Sequence, residues 1–208
     1  MHILEKKYND FSEQDDVIEK LRELYLHLKP SLQKNKNLSP IFDPVGTNRL
    51  IKEMLIPDWE PNLSIPKNYK DLGTDVDYYK DGSIIEVQFS NYPFLANNLL
   101  RSEVFFKSNE LIFKDRVKNL TFITKSKKLP SSNSSLSYEQ AENQLDIWRE
   151  NEMFSIPVRL IGITIDETTF EEGIWTEYSG RTSTEKISSN IEKFSISFQN
   201  KKYSFTKN

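Results

Sequence analysis

Residues 77–91, DYYKDGSIIEVQFSN, limit the possible folds of this chain more than any other stretch. Asp81-Gly82 is a hairpin turn signal, because Gly accepts φ > 0 where the chain reverses. The return strand, Ile84 to Phe89, alternates. With two-residue periodicity, Ile85, Val87 and Phe89 share one face, and Ile84, Glu86 and Gln88 share the other. Two polar side chains therefore interrupt an otherwise apolar strand. Asp77 on the first arm stands across from Glu86-x-Gln88 on the second. Hard divalent cations take oxygen ligands, often one or two carboxylates completed by phosphate oxygens and water. The pattern suits a Mg²⁺ and water site. Spacing alone favours the rim of an exposed strand, because short motifs often match by chance.

The rest of the chain places this hairpin in an α/β context. Ser12 to Lys29 reads as an amphipathic helix, with Val17, Ile18, Leu21, Leu24, Tyr25 and Leu28 at helical spacing. Thr47 to Ile56 reads as a second helix, followed by a Pro-punctuated loop from Pro57 to Pro66. A long helix is expected from Pro93 to about Phe113, with Pro93 allowed in its first turn. NLTFITK (Asn119 to Lys125) is β-branched and aromatic, which favours a strand. A Ser/Asn loop, Pro130 to Ser135, leads into a helix from Leu136 to about Asn151, with Ser135 as its cap. PVRLIGITID (Pro157 to Asp166) is apolar enough to be a central strand. The remaining tail is polar, with short alternating segments. The sum is an α/β fold: a mixed central β-sheet flanked by helices, with a small additional β-rich C-terminal part.

Composition narrows the chemistry. A chain of 208 residues fits one domain, 1–208, with its core at about 40–165 and the β-rich part at about 166–208. There is no cysteine, and His2 and His27 are the only histidines. Thiolate metal sites, disulfides, histidine metal clusters and Ser-His-Asp triads are thereby disfavoured. No apolar run reaches membrane-span length and the N-terminus has no signal-peptide core, so a cytoplasmic protein without a membrane partner or organic cofactor is expected. The net charge of −3 argues mildly against a nonspecific basic nucleic-acid binder. The distribution is less even than the total. Residues 101–130 hold eight Lys/Arg against three Asp/Glu, residues 131–180 two against ten, and residues 181–208 six against two. Basic blocks on both sides of an acidic one can line a cleft with positive potential.

Five segments, FDPVGTN (42–48), LGTDVD (72–77), EVQFSNYPFLANN (86–98), RSEVFFKSN (101–109) and SNSSLSYEQAENQL (132–145), follow in an order and spacing that closely resemble the BglII family of type II restriction endonucleases. The resemblance covers roughly residues 40–165 and is weak at both ends. It implies a restriction endonuclease-like fold of the PD-(D/E)xK superfamily. Asp77 would then be the metal-binding Asp, and Glu86-x-Gln88 the second half of the motif, with Gln88 where many superfamily members carry Lys. A neutral amide can orient water but cannot supply charge. The resemblance further implies that the Val87 backbone carbonyl binds the metal, with Glu86 a possible further ligand, and that Asn62 positions the attacking water. Without it, Asn62 beside Pro61 reads as an Asx turn.

The same resemblance implies base contacts from Ser90, Asn91, Asn133 and Ser134, since Asn reads adenine bidentately and Ser adapts to several base edges. Arg101 is expected at a base edge or phosphate. Tyr178, Ser179 and Arg181 resemble a Tyr-Ser-Arg loop that engages the outer base pair, but Gly180 is inserted before Arg181 here. The expected activity is a Mg²⁺-dependent, homodimeric cut in double-stranded DNA at a palindrome with inner GATC, most simply AGATCT. A structure-specific repair or junction-resolving nuclease of the same superfamily, and a catalytically silent DNA-binding protein, stand as alternatives.

Overall fold

The structure is a computed structural model, and it describes residues 1–31, 40–108, 110–131, 135–165, 168–180, 184–199 and 202–207. The elements run β1 (His2–Tyr8), α1 (Val17–Arg22), β2 (Leu26–Pro30), β3 (Pro40–Phe42), α2 (Pro44–Leu55), β4 (Glu60–Ser64), a 3₁₀ turn (Lys67–Leu72), β5 (Asp75–Lys80), β6 (Ser83–Val87), α3 (Pro93–Lys107), β7 (Asn119–Lys125), α4 (Tyr138–Glu150), β8 (Val158–Thr164), β9 (Thr168–Tyr178), β10 (Lys186–Gln199) and β11 (Lys202–Lys207).

Six strands form the main sheet in the order β1-β8-β7-β6-β5-β4. It is mixed: β6, β7 and β8 are parallel, while β1, β5 and β4 join antiparallel. All seven residues of β7 and of β8 are buried, as strands covered on both faces must be. Ile84, Leu120, Phe122 and Leu160 pack on α3 and α4 through Leu95, Leu99, Phe105, Ala141 and Leu145. Ile85, Ile123, Ile161 and Ile163 pack on the opposite side with Val17, Leu21, Ile51 and Leu55 of α1 and α2. Helices thus cover both faces. The five remaining strands form a second sheet, β11-β10-β9-β2-β3.

The hairpin at the centre follows the expected pattern. Asp81 and Gly82 both take positive φ, 48° and 91°, the geometry of a type I′ turn whose twist matches the strands. α2 begins at Pro44, three residues before the expected start. The Asp43 side chain caps it, accepting from the Val45 and Gly46 amides, and Pro44 occupies the first turn, where its missing N–H costs nothing.

Four expectations change. The helix expected over residues 12–29 is short, because Leu26 and Leu28 instead enter β2, paired with β3 and parallel to β9. Leucines spaced by two and four fit both periodicities, and a partner far along the chain decides between them. The loop expected over 57–66 contains β4, an edge strand where Pro61 can leave its donor position empty. α3 stops at Lys107 rather than near Phe113. α4 is capped by the Ser137 side chain on the Gln140 amide, whereas Ser135 bridges to Asn91. The N-terminal strand β1 was not anticipated. It covers β8 antiparallel, from His2 opposite Thr164 to Tyr8 opposite Val158.

Candidate active site

The β5–β6 pairing of Tyr78 with Ile85 places Asp77 across from Glu86. Asp77 Oδ2 accepts from the Val87 amide at 2.7 Å. Its other oxygen has no hydrogen bond to a described residue. Burial raises the Asp77 pKa; the Val87 N–H and Arg101 oppose the rise, and Asp75 adds to it.

On the other side of β5, the ladder to β4 pairs Pro61 with Tyr78 and Leu63 with Val76, and skips the pair between them. That position is Asn62, opposite Asp77. Asn62 sits at φ 51°, a left-handed conformation that costs most residues energy but that Asn tolerates. The break exposes Asn62 beside the carboxylate.

Both residues line an open cleft of about 430 Å³, together with Pro61, Tyr78, Val87 and the α2 residues Asn48, Arg49 and Lys52. The α2 side chains were not singled out from the sequence. The Arg49 and Lys52 side chains have no hydrogen bond or ion pair to another described residue. Helical spacing of three puts them on one face, but nothing in the sequence shows that this face looks toward Asp77.

Glu86 is 3% exposed. Arg101 Nη2 donates to its Oε1, and Asn98 Nδ2 donates to its Oε2 at 3.1 Å. Burial pushes the Glu86 carboxyl up to about 8; Arg101 opposes the rise, and Asp77 and Asp75 add to it. Arg101 itself is 7% exposed. The structure therefore commits its guanidinium to Glu86.

Gln88 continues the strand beyond β6, its amide bonded to the Ile123 carbonyl and its own carbonyl accepting from Thr124 Oγ1. Its side-chain nitrogen donates to Ser90 Oγ at 2.8 Å and to the Asn91 carbonyl at 3.4 Å. The Gln88 Oε1 has no partner among the described residues. The strand that carries Glu86 is thus tied directly to the exposed Ser90-Asn91 pair.

Ser90 and Asn91 are in turn joined to residues 135–136. The Leu136 amide donates to the Ser90 carbonyl at 2.8 Å, and Asn91 bridges Ser135. Asn133 and Ser134 lie outside the described residues, as does Arg181. Tyr178, at the end of β9, donates to Asp43 Oδ2 at 2.6 Å, so the expected outer-base loop is anchored to the start of α2. The Ser179 hydroxyl donates to Glu185 at 3.1 Å.

Residues 2–163 match the family described as restriction endonuclease BglII/BglIII. The chain belongs to this family. It is 47% identical, over 167 residues, to the type II restriction enzyme BglII of Bacillus subtilis, covering 80% of this chain and 75% of that one. It superposes over the full length of both chains on the crystal structure of BglII complexed with a DNA 16-mer, with TM-score 0.95 and 39% identity. Against free BglII the TM-score is 0.78 at 37% identity, again over the full length of both chains. The fold of this BglII-family chain thus lies nearer the DNA-complexed structure than the free one. It is a type II site-specific endonuclease with a mixed sheet flanked by helices.

Proposed function

We propose that this BglII-family chain is a Mg²⁺-dependent homodimer that cuts both strands of a palindromic DNA site with inner GATC, most simply AGATCT. The observation that carries the reading is the Asp77–Asn62 pair, beside a break in the β4–β5 ladder and in a cleft that Arg49 and Lys52 also line. The strand leaving that cleft ends at Ser90 and Asn91. Chemistry and base reading are then three or four residues apart.

The residues fit a hard cation. One Asp77 oxygen is free of partners among the described residues, and Val87 at the same cleft brings a backbone carbonyl. Among the described residues no three acidic or histidine side chains cluster tightly enough to hold a metal alone. An all-oxygen site completed by phosphate and water is the arrangement Mg²⁺ prefers. Bound there, Mg²⁺ would polarise the scissile phosphate as a Lewis acid and acidify water.

The chain's own residues do the rest. The Asn62 amide and the Glu86 carboxylate orient the attacking water, and the Gln88 Oε1, without a partner among the described residues, offers a further acceptor. Water attacks phosphorus in line, the P–O3′ bond breaks, and the products carry 5′-phosphates. Arg49 and Lys52 neutralise backbone phosphates. A two-fold protein suits a palindrome, because each subunit reads one half and cuts one strand. Asn91 and Ser90 read inner bases, together with Asn133 and Ser134 of the 131–136 segment. The Tyr178–Arg181 loop reads the outer pair.

A cleavage panel of every single-base-pair variant of AGATCT, run at one fixed salt concentration, tests this reading. Asn91→Ala should lower cleavage of all sites sharing GATC by about 1–3 kcal/mol per lost bidentate contact. Loss of the Tyr178 hydroxyl should change discrimination at the outer pair only. Flat cleavage across the panel by the unmodified enzyme would leave a structure-specific nuclease instead.

The α2 wall gives a separate expectation. Changing both Arg49 and Lys52 to Ala should weaken binding to all duplexes alike. The slope of log affinity against log salt should fall by about 2. An unchanged slope would remove these residues from the DNA interface.

A further inference from the structure

The strand that carries the reacting groups brings a carboxylate and a neutral amide, Glu86 and Gln88, but no cation. The cation comes from helix α3. Asn98 and Arg101, three residues apart on one helical face, each take one oxygen of Glu86. The pair is buried, with Arg101 7% and Glu86 3% exposed. Asp77 and Glu86 both feel the Arg101 charge.

The surroundings are shaped for this guanidinium. A Cβ on Gly73, which sits at φ 142°, would lie 2.5 Å from Arg101 Nη1. Only a glycine leaves that space at that backbone conformation. The Arg101 Nε is buried without a hydrogen-bond partner among the described residues. Burying an ion pair costs desolvation that apolar side chains of similar volume avoid, so stability alone is a poor reason to place Arg and Glu here. The Gln88 amide cannot substitute, because its nitrogen is spent on Ser90 and Asn91.

We propose that Arg101 is a positioning residue for strand cleavage: from α3 it fixes the Glu86 carboxylate beside Asp77 and supplies the positive charge that the Glu86-Val87-Gln88 strand lacks. The proposal rests on Glu86 being catalytic, as set out above. Arg101 acts through Glu86 and does not touch DNA, so its loss should slow the chemical step and leave binding intact.

The test compares Arg101→Met, Arg101→Lys, Glu86→Gln and the Arg101→Met/Glu86→Gln double variant. Two quantities are measured on a short duplex carrying the cleavage site. One is the single-turnover rate at saturating DNA and Mg²⁺. The other is affinity by fluorescence anisotropy in EDTA. Arg101→Met should lose about 100-fold in rate, the cost of a misplaced catalytic group, with affinity within about threefold of wild type. Arg101→Lys should recover at least about tenfold of that loss, because it restores the charge without the fork geometry. The double variant should be no slower than Glu86→Gln alone, since both changes remove one function.

Asn98→Ala guards against a folding failure of Arg101→Met. It frees the other Glu86 oxygen and should show the same pattern, slower cleavage at unchanged affinity, to a smaller degree. Arg101→Met cutting at wild-type rate would overturn the proposal, as would a loss confined to DNA affinity, a Lys variant no better than Met, or additive losses in the double variant. Glu86→Gln cutting at wild-type rate would instead overturn the catalytic reading of Glu86 on which it rests.

Discussion

Asp77→Asn is expected to abolish Mg²⁺-dependent cleavage while specific DNA binding stays measurable. The substitution keeps the shape of the side chain. Its amide oxygen can still accept from the Val87 N–H, the bond Asp77 makes at 2.7 Å. The Ser90-Asn91 end of the strand, proposed to read bases and held by the Gln88–Ser90 and Leu136–Ser90 bonds, is untouched. What disappears is the negative charge facing the cleft. Loss of a Lewis acid from the reaction should cost several kcal/mol, roughly a thousandfold or more in rate. Removing one of two facing carboxylates should also ease their mutual repulsion, so the folded protein should not lose stability. Single-turnover cleavage of a plasmid and a gel shift without metal make the comparison. A variant that nicks and linearises DNA at near wild-type rate would remove Asp77 from the chemistry.

Arg159→Met is expected to cause the largest stability loss of any change discussed here. Arg159 is 2% exposed on β8. Its guanidinium meets Asp15 with two bonds, Nη1 to Oδ1 at 3.0 Å and Nη2 to Oδ2 at 2.6 Å. Its Nε donates to Thr121 Oγ1 at 3.2 Å, and the group stacks over Phe11 at 4.8 Å. Asp15 also accepts from the Val17 amide at 3.1 Å, so the pair fixes the start of α1 against the sheet. Deleting one partner strands a buried charge, which costs about 3–5 kcal/mol. For a chain of this size that is a fall in melting temperature of roughly 10 °C. Replacing both residues with leucine should recover most of the loss, because no charge is then left unpaired. Thermal melting of the DNA-free protein measures all three forms. A single variant that melts within a degree or two of wild type would show that the pair does not hold the N-terminal segment.

The β5–β6 hairpin was legible because its determinants are local. Asp81-Gly82 sets the turn, and the alternation from Ile84 to Phe89 sets which side chains share a face. The match is direct: Ile84 packs with α3 and α4, Ile85 with α1 and α2. The strands β7 and β8 were legible for a related reason. Strands buried on both faces need continuous apolar sequence, and NLTFITK and VRLIGIT provide it.

The misread elements share a different property. β1, β2 and β4 are held by strands distant in the sequence or at the sheet edge, and their own patterns are ambiguous. Leu24, Leu26 and Leu28 fit a strand, while Leu21, Leu24 and Leu28 fit a helix. The pairing of β2 with β9, contributed by a segment well over a hundred residues away, resolves the choice. β1 alternates weakly, with Lys6 and Lys7 inside the strand, and its place is fixed only by the open edge of β8.

Local pattern alone fixes which residue types meet at the hairpin: Asp77 across from Glu86, with Gln88, Ser90 and Asn91 following on one strand. Backbone periodicity and a two-residue turn are enough for that, since both act within fifteen residues. What surrounds them was set by the packing of the whole fold. It placed Arg101 and Asn98 on Glu86 across the helix–sheet interface. It brought Arg49 and Lys52 to the cleft that Asp77 and Asn62 line. It anchored Tyr178 to the Asp43 cap of α2. Such placements follow from how helices pack onto sheet faces, and that packing depends on the whole core rather than on any local run of residues.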